Sequence, residues 1–315
     1  MKKRIFAALF AAFAFAAVFT AVSASCKKEQ PNEYAVVIKT LASPFWRGIQ
    51  EGVEGKAKEL GIKVDVYAAN SEDDIEGQVQ LLENCISKGY KVIGVSPISP
   101  VNLNAVIAQA AKKGVYVINI DEMVNLENLK SQGGAVQGFC ATDNVEVGRI
   151  GAGYIVSLLP GGGQVAIIEG MAGNKSGEDR KNGAAEAFRN ASGFEIAASQ
   201  AADWDRTKAF DVANSIITRF PDIKGIYCCN DTMAMGALEA VKRSGKTIIV
   251  VGTDGNEDAV LSVKAGELAA TVAQDTRGIG GIGVQLMYDT YKNKPKIDPN
   301  AEVPFVGAKA QLVTK

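Results

Sequence analysis

The sequence runs to 315 residues, 47% hydrophobic and 22% charged, with a formal net charge of −1. That is an ordinary globular balance, with apolar side chains enough for two cores of moderate size. No His occurs, which removes the commonest general base and metal ligand, and no basic arm or patch recommends nucleic acid as a partner.

The N-terminus reads as an export signal. Lys2, Lys3 and Arg4 precede an apolar run over 5–22, which ends in Ser23-Ala24-Ser25-Cys26. Small residues directly before a Cys suit lipidation at Cys26 after removal of residues 1–25; ordinary secretory cleavage near Ala24 and a retained anchor are the alternatives. Removing residues 1–25 takes away three basic and no acidic side chains, leaving 31 basic against 35 acidic and a net charge of −4. Residues 26–33 are polar, carry Pro31, and read as a lipid-attached tether.

From Tyr34 onward the pattern alternates between short apolar runs and helix-period segments. Runs at 34–39, 64–68, 92–96 and 115–120 are separated by helical segments at 45–60, 74–88 and 101–112, followed by Gly61, Gly89 and Gly114. Ser43 and Pro44 suit the cap and first turn of the first helix, whose apolar stripe Phe45, Ile49, Val53, Ala57 and Leu60 leaves Trp46 off the core face. The cycle pauses over 125–138. It then restarts, with apolar runs at 139–141, 165–168, 196–199, 225–229, 248–251 and 269–273 and helices at 145–159, 181–190, 207–220, 232–244, 258–265 and 278–292. Strand, helix, strand with short connections predicts an α/β fold built on parallel sheets, and the number of units predicts two similar lobes.

Several motifs have plain structural readings. Cys85, Cys140, Cys228 and Cys229 show no metal-ligand spacing and read as buried apolar thiols. Gly278, Gly280 and Gly283 match a dinucleotide fingerprint but lack its downstream acidic residue, so close helix–sheet packing explains them better. Loop 170–177 resembles a phosphate loop with Asn174 where Gly is required. The run Glu72-Asp73-Asp74 lacks calcium-loop spacing and reads as the solvated start of a helix, and Asp231 reads as the cap of the helix from Thr232. No metal or cofactor is implied.

Open parallel sheets bind ligands beyond the carboxyl ends of their strands. At those ends lie Lys39, the Ser43–Trp46 corner, Asp121, Glu122, Arg180, Trp204, Asn230, Asp254 and Gln274. Carboxylates, amides, cations and two Trp gather there without a nucleophile–base pair. That inventory suits a polyhydroxylated ring: Asp and Asn bridge neighbouring hydroxyls, Arg donates a fork of N–H groups, and Trp covers apolar C–H faces. Sugar-processing enzymes are disfavoured by the missing acid–base pair.

The segments 39–46, 202–206, 229–236, 251–255 and 271–274 together resemble the periplasmic sugar-binding proteins of pentose and hexose ABC importers, in the ribose-binding branch. The resemblance covers nearly all of 34–315. Lys39, Trp46, the Asp121-Glu122 pair and Thr253 depart from the ribose pattern toward members that take D-allose. The resemblance implies two Rossmann-like lobes, 34–142 plus 275–305 and 143–274 plus 306–315, joined by three crossing strands of a type I periplasmic binding protein fold. It implies that Phe45, Trp46 and Trp204 sandwich the sugar, that Lys39, Asp121, Arg180, Asn230, Asp254 and Gln274 bond its hydroxyls, and that Glu122, at a position basic in the ribose type, also belongs to the site. The implied partners are a monosaccharide and an ABC transporter permease, with the protein a monomer; the alternative receiver is a chemoreceptor or sensor kinase, with a sugar or furanosyl signal molecule as ligand.

Overall fold

The computed structural model describes residues 32–315, so the signal segment 1–25, Cys26 and most of the expected tether lie outside the described residues. The folded body begins earlier than expected. Asn32 donates to Asp65 (2.9 Å), and the Glu33 carbonyl accepts from the N–H groups of Lys91 (2.8 Å) and Val92 (3.1 Å).

Two α/β lobes each carry a six-stranded sheet. The first contains β1 (Tyr34–Thr40), β2 (Val64–Ala69), β3 (Val92–Val95), β4 (Tyr116–Ile120), β5 (Phe139–Thr142) and β11 (Phe305–Ala308), in the order β2-β1-β3-β4-β5-β11. The second contains β6 (Gly163–Glu169), β7 (Phe194–Ala201), β8 (Ile223–Cys228), β9 (Ile249–Asp254), β10 (Ala270–Gln274) and β12 (Ala310–Val313), in the order β7-β6-β8-β9-β10-β12. Both lobes thus repeat one doubly wound plan. Every pairing is parallel except β10 with β12.

The helices are α1 (Pro44–Leu60), α2 (Ile75–Lys88), α3 (Asn104–Lys112), α4 (Leu126–Ser131), α5 (Asn144–Leu158), α6 (Lys175–Asn190), α7 (Arg206–Arg219), α8 (Asp231–Ser244), α9 (Glu257–Ala265) and α10 (Thr276–Asn293). β1 is buried along its whole length, with Ala35 and Val37 in one apolar cluster and Val36 and Ile38 in another. Alternate side chains of a central strand therefore serve both faces of the sheet. The second lobe buries a single larger cluster that includes Ile167, Phe188, Ile226 and Tyr227.

Four sequence expectations need correction. The pause at 125–138 contains a short helix, α4, capped by Asn125, whose side chain accepts from the Asn128 N–H (2.8 Å). Helix α6 starts at Lys175, six residues before the expected 181, and its first turn is met from the other lobe, where Glu122 accepts from the Ser176 N–H (3.2 Å). The chain passes between sheets after β5 and after β10. Its third passage, however, falls at Lys309, since 305–308 pair with β5 and only 310–313 with β10. The α8 cap is Asn230, which accepts from the Met233 N–H (2.8 Å); Asp231 is the first helical residue.

The dinucleotide-like glycines of α10 are packing residues. A Cβ on Gly280 would lie 2.2 Å from the Ile49 carbonyl of α1, and one on Gly283 would lie 2.8 Å from Ile120 of β4. The four thiols in the described residues, Cys85, Cys140, Cys228 and Cys229, are free and buried, and burial pushes the Cys85, Cys140 and Cys229 thiols up to about 12. Among the described residues no group of His, Cys, Asp or Glu could hold a metal ion, and no helix is long and apolar enough to cross a membrane.

Candidate ligand-binding site

The carboxyl ends of the two sheets face each other across a cavity. From the first lobe it is lined by Lys39, Ser43, Phe45, Trp46, Glu72 and Asp121, and from the second by Ser176, Arg180, Trp204, Asn230 and Asp254. Eight of the ten residues expected at the site line it. Glu122 and Gln274 do not, and their side chains are engaged elsewhere.

The first lobe's wall begins where β1 passes into α1. Ser43 stands at the cap position but makes no side-chain cap bond; its carbonyl accepts from the Arg47 N–H (3.3 Å) instead. Pro44 opens the helix, and Phe45 and Trp46 meet edge to face with ring centroids 5.1 Å apart. Trp46 is more buried than a ligand wall requires, at 3% exposed, and its Nε1–H donates to Glu72 (2.6 Å). Glu72 is therefore no solvated helix start. Its carboxyl reaches into the site, where desolvation raises its pKa against the opposing pull of Lys39 and the Trp46 hydrogen bond. The sequence held one hint, a third acidic residue beyond the two that a helix start needs. Lys39 is buried, with Nζ 3.4 Å from Glu122 and 5.5 Å from the centre of the Trp46 ring.

Asp121 sits just past β4 with φ 62°, in the left-handed region that non-Gly residues seldom occupy. Asn119 braces this turn: its Nδ2 donates to the carbonyls of Val95 (3.2 Å) and Glu122, and its Oδ1 accepts from the Val124 N–H (2.9 Å). Burial, reinforced by the Glu122 charge, pushes the Asp121 carboxyl up to about 7, although Arg180 and Lys39 pull it down. Its Oδ1 is buried without a hydrogen-bond partner.

In the second lobe Arg180 is fixed at three points. Nε donates to Asn144 (2.8 Å), and Nη1 to the Cys229 carbonyl (2.7 Å) and Asp254 Oδ1 (3.4 Å). Asp254 has φ 118°, accepts from Gln274 Nε2 (2.7 Å), and is pushed up to about 6 by burial against the lowering effect of Arg180. Gln274 thus reaches the site through Asp254, and its Oε1 is a second buried atom without a partner. Asp231, behind this group, accepts from Thr271 Oγ1 (2.7 Å) and the Asn256 N–H (2.8 Å), which locks the turn that follows Asp254.

Trp204 follows β7 with φ 65° beside Asp203 at φ 52°. Its ring lies against the loop that resembles a phosphate loop: a Cβ on Gly170 would come within 2.1 Å of the indole, and one on Gly177 within 3.0 Å. Those glycines seat an aromatic ring. Trp204 Nε1–H donates to Asn174 Oδ1 (3.0 Å), and the Arg180 guanidinium stands 5.9 Å from the ring centre. Outside the cavity a wider cleft, bordered by Pro44, Asp73, Trp204 and Lys208, opens to solvent.

Chemically, the site offers buried carboxylates, an amide, a lysine and an arginine between aromatic rings from opposite lobes. The Ser176 hydroxyl on its wall donates to the buried Glu122 carboxylate (2.7 Å). Four of the five non-Gly residues with positive φ among those described, Asp121, Asp203, Trp204 and Asp254, lie at or beside it, the concentration of backbone strain expected where geometry serves binding.

A family model described as periplasmic binding protein domain matches residues 34–295. The chain is 50% identical over 286 residues to the D-allose-binding periplasmic protein of Escherichia coli (strain K12), covering 90% of this chain and 92% of that one. It is 33% identical over 270 residues to the ribose import binding protein RbsB of Bacillus subtilis (strain 168), covering 85% and 84%. Among solved structures, an ABC transporter periplasmic solute binding protein from Actinobacillus succinogenes 130z with bound D-allose superposes with a TM-score of 0.81 at 31% identity, covering 89% of this chain and 96% of that one.

Proposed function

The chain belongs to the periplasmic binding protein family, and from that premise we propose that it captures D-allose, or a closely related aldose such as D-ribose, between its lobes. Its architecture is the type I periplasmic binding protein fold, and the protein is a solute-binding protein, not an enzyme. It delivers the closed, loaded form to the permease of an ABC importer. It acts as a monomer held at the membrane by lipid on Cys26, the residue that follows the small-residue end of the export signal.

The observation that carries the reading is the buried, unpartnered acceptor Asp121 Oδ1 on a cavity wall shared with Lys39, Arg180 and Asn230 and flanked by Trp204 and Phe45. A buried acceptor without a donor costs about 1–3 kcal/mol, and sugar hydroxyls are the donors that would remove that cost. Hydrogen bonds to charged groups contribute roughly 1.5–3 kcal/mol each. A micromolar affinity needs about 8 kcal/mol, which a handful of such bonds and the flanking rings supply even after the costs of association.

Equilibrium dialysis against radiolabelled D-allose, with unlabelled D-ribose, D-glucose, D-galactose and myo-inositol as competitors, tests the proposal. Saturable D-allose binding displaced best by unlabelled D-allose is the expected result. Retention of none of these ligands would sink it.

A further inference from the structure

Glu122 is fully buried yet borders no part of the cavity, and its bonds cross between the lobes. Its Oε1 accepts from the Ser176 N–H (3.2 Å) and its Oε2 from Ser176 Oγ (2.7 Å), both on α6 of the second lobe. Its partner within its own lobe is Lys39 Nζ at 3.4 Å. Two residues away, Asn174 stands at the cap position of α6 without capping that helix. Its Nδ2 instead crosses to the Ile98 carbonyl of the first lobe (2.9 Å), while its Oδ1 holds Trp204. A free N-terminal N–H of a helix is normally satisfied by the helix's own cap residue. Here the acceptor for the Ser176 N–H is a carboxylate from the opposite lobe.

We infer that Glu122 and the 174–176 turn of α6 form a closure latch, a helix cap supplied in trans that exists only when the lobes are shut. Glu122 is a positioning residue. It fixes Lys39 from behind, and the same turn fixes Trp204 through Asn174, so closure and the alignment of two cavity walls are one event. Separating the lobes breaks all three crossing bonds and exposes a carboxylate, a hydroxyl, an amide and a carbonyl to water, which then hydrates them. The latch therefore biases the open–closed equilibrium without selecting among sugars.

This role rests on the sugar-capture reading, and the test separates the two. Asn174→Asp replaces the amide donor to Ile98 while retaining an acceptor for Trp204, and Asn174 does not line the cavity. Ser176→Ala deletes the hydroxyl donor but also alters the cavity wall, so it is read by melting temperature and lobe distance and not by sugar release. Stopped-flow tryptophan fluorescence should show D-allose and D-ribose leaving Asn174→Asp about 5- to 20-fold faster than the parent, by the same factor for both sugars. The ligand-free melting temperatures of the three proteins should agree within about 2 °C. Unchanged dissociation, or a factor that differs between the sugars, overturns the latch. If the parent binds neither sugar, the capture reading alone falls. The latch is then read from spin labels on Asp73→Cys and Lys208→Cys, exposed residues of opposite lobes that border the wider cleft. The ligand-free parent must populate the short distance more than either variant, and equal populations overturn the latch.

Discussion

At the scale of single residues, the site is organised by desolvation. Asp121 is the clearest case, a carboxyl held near pH 7 mainly by burial. A carboxyl whose folded pKa is raised binds more protons in the folded than in the unfolded state between the two values. Its contribution to stability therefore falls as pH rises from about 4 to about 7 and is constant above that range. Asp121→Asn removes this term. The ligand-free variant should gain roughly 2–3 kcal/mol on the parent between pH 5 and pH 8 in urea unfolding, and a pH-independent difference would contradict the assignment. Lys39 and Trp204 should divide the work of recognition. Trp204→Ala should weaken D-allose, D-ribose and D-galactose alike, by roughly 10- to 100-fold in calorimetry. Lys39→Ser should reorder the three, because a buried point charge on the cavity wall discriminates among hydroxyl orientations more sharply than an apolar ring does; equal losses for both variants would refute that division. Residue identity at the strand ends was legible in the sequence because polar side chains beyond apolar runs are a local pattern. The place of Glu72 was not, since nothing local shows that the Trp46 indole reaches across to it. Glu122 was legible as a strand-end carboxylate, but only the three-dimensional arrangement shows that its carboxyl meets the other lobe's helix and not the cavity.

At the scale of elements, the strands and most helices follow directly from apolar periodicity and terminal glycines, since these elements bury one face each. The departures fall where tertiary contacts override local preference. Loop 170–177 reads as irregular because of its glycines, but Ser176 and Gly177 are helical, docked on Glu122 and under Trp204. Helix α1 allows a sharper test of why its glycines are present. A Cβ at Gly52 would lie 2.1 Å from the Arg277 carbonyl of α10, whereas one at Gly55 meets nothing within 4 Å. Gly52→Ala should cost about 1–3 kcal/mol or more by forcing the helices apart, and Gly55→Ala should add about 0.5–1 kcal/mol. Urea midpoints that move in the same direction for both would show that the α1–α10 approach is not the constraint described. The trans cap of α6 belongs to this scale too: a helix whose own cap residue is turned away to serve an interface.

At the scale of the whole molecule, two copies of one doubly wound plan face each other with the carboxyl ends of their strands, and the chain passes between them three times. That duplication was readable from the count of strand–helix units. The third passage was misplaced by a few residues because β11 and β12 are adjacent short strands of similar composition, separated only by Lys309. The cavity walls come from both lobes, and the bonds of Ser176 to Glu122 and of Asn174 to the Ile98 carbonyl cross between them. The central claim is capture of an aldose by that closure, and calorimetric titration of the intact protein with D-allose, with small-angle scattering on the same samples, addresses it most directly. The account predicts a one-to-one isotherm with micromolar or tighter affinity and a radius of gyration that falls on saturation. A flat isotherm with D-allose and every related aldose, or binding that leaves the radius unchanged, would contradict it.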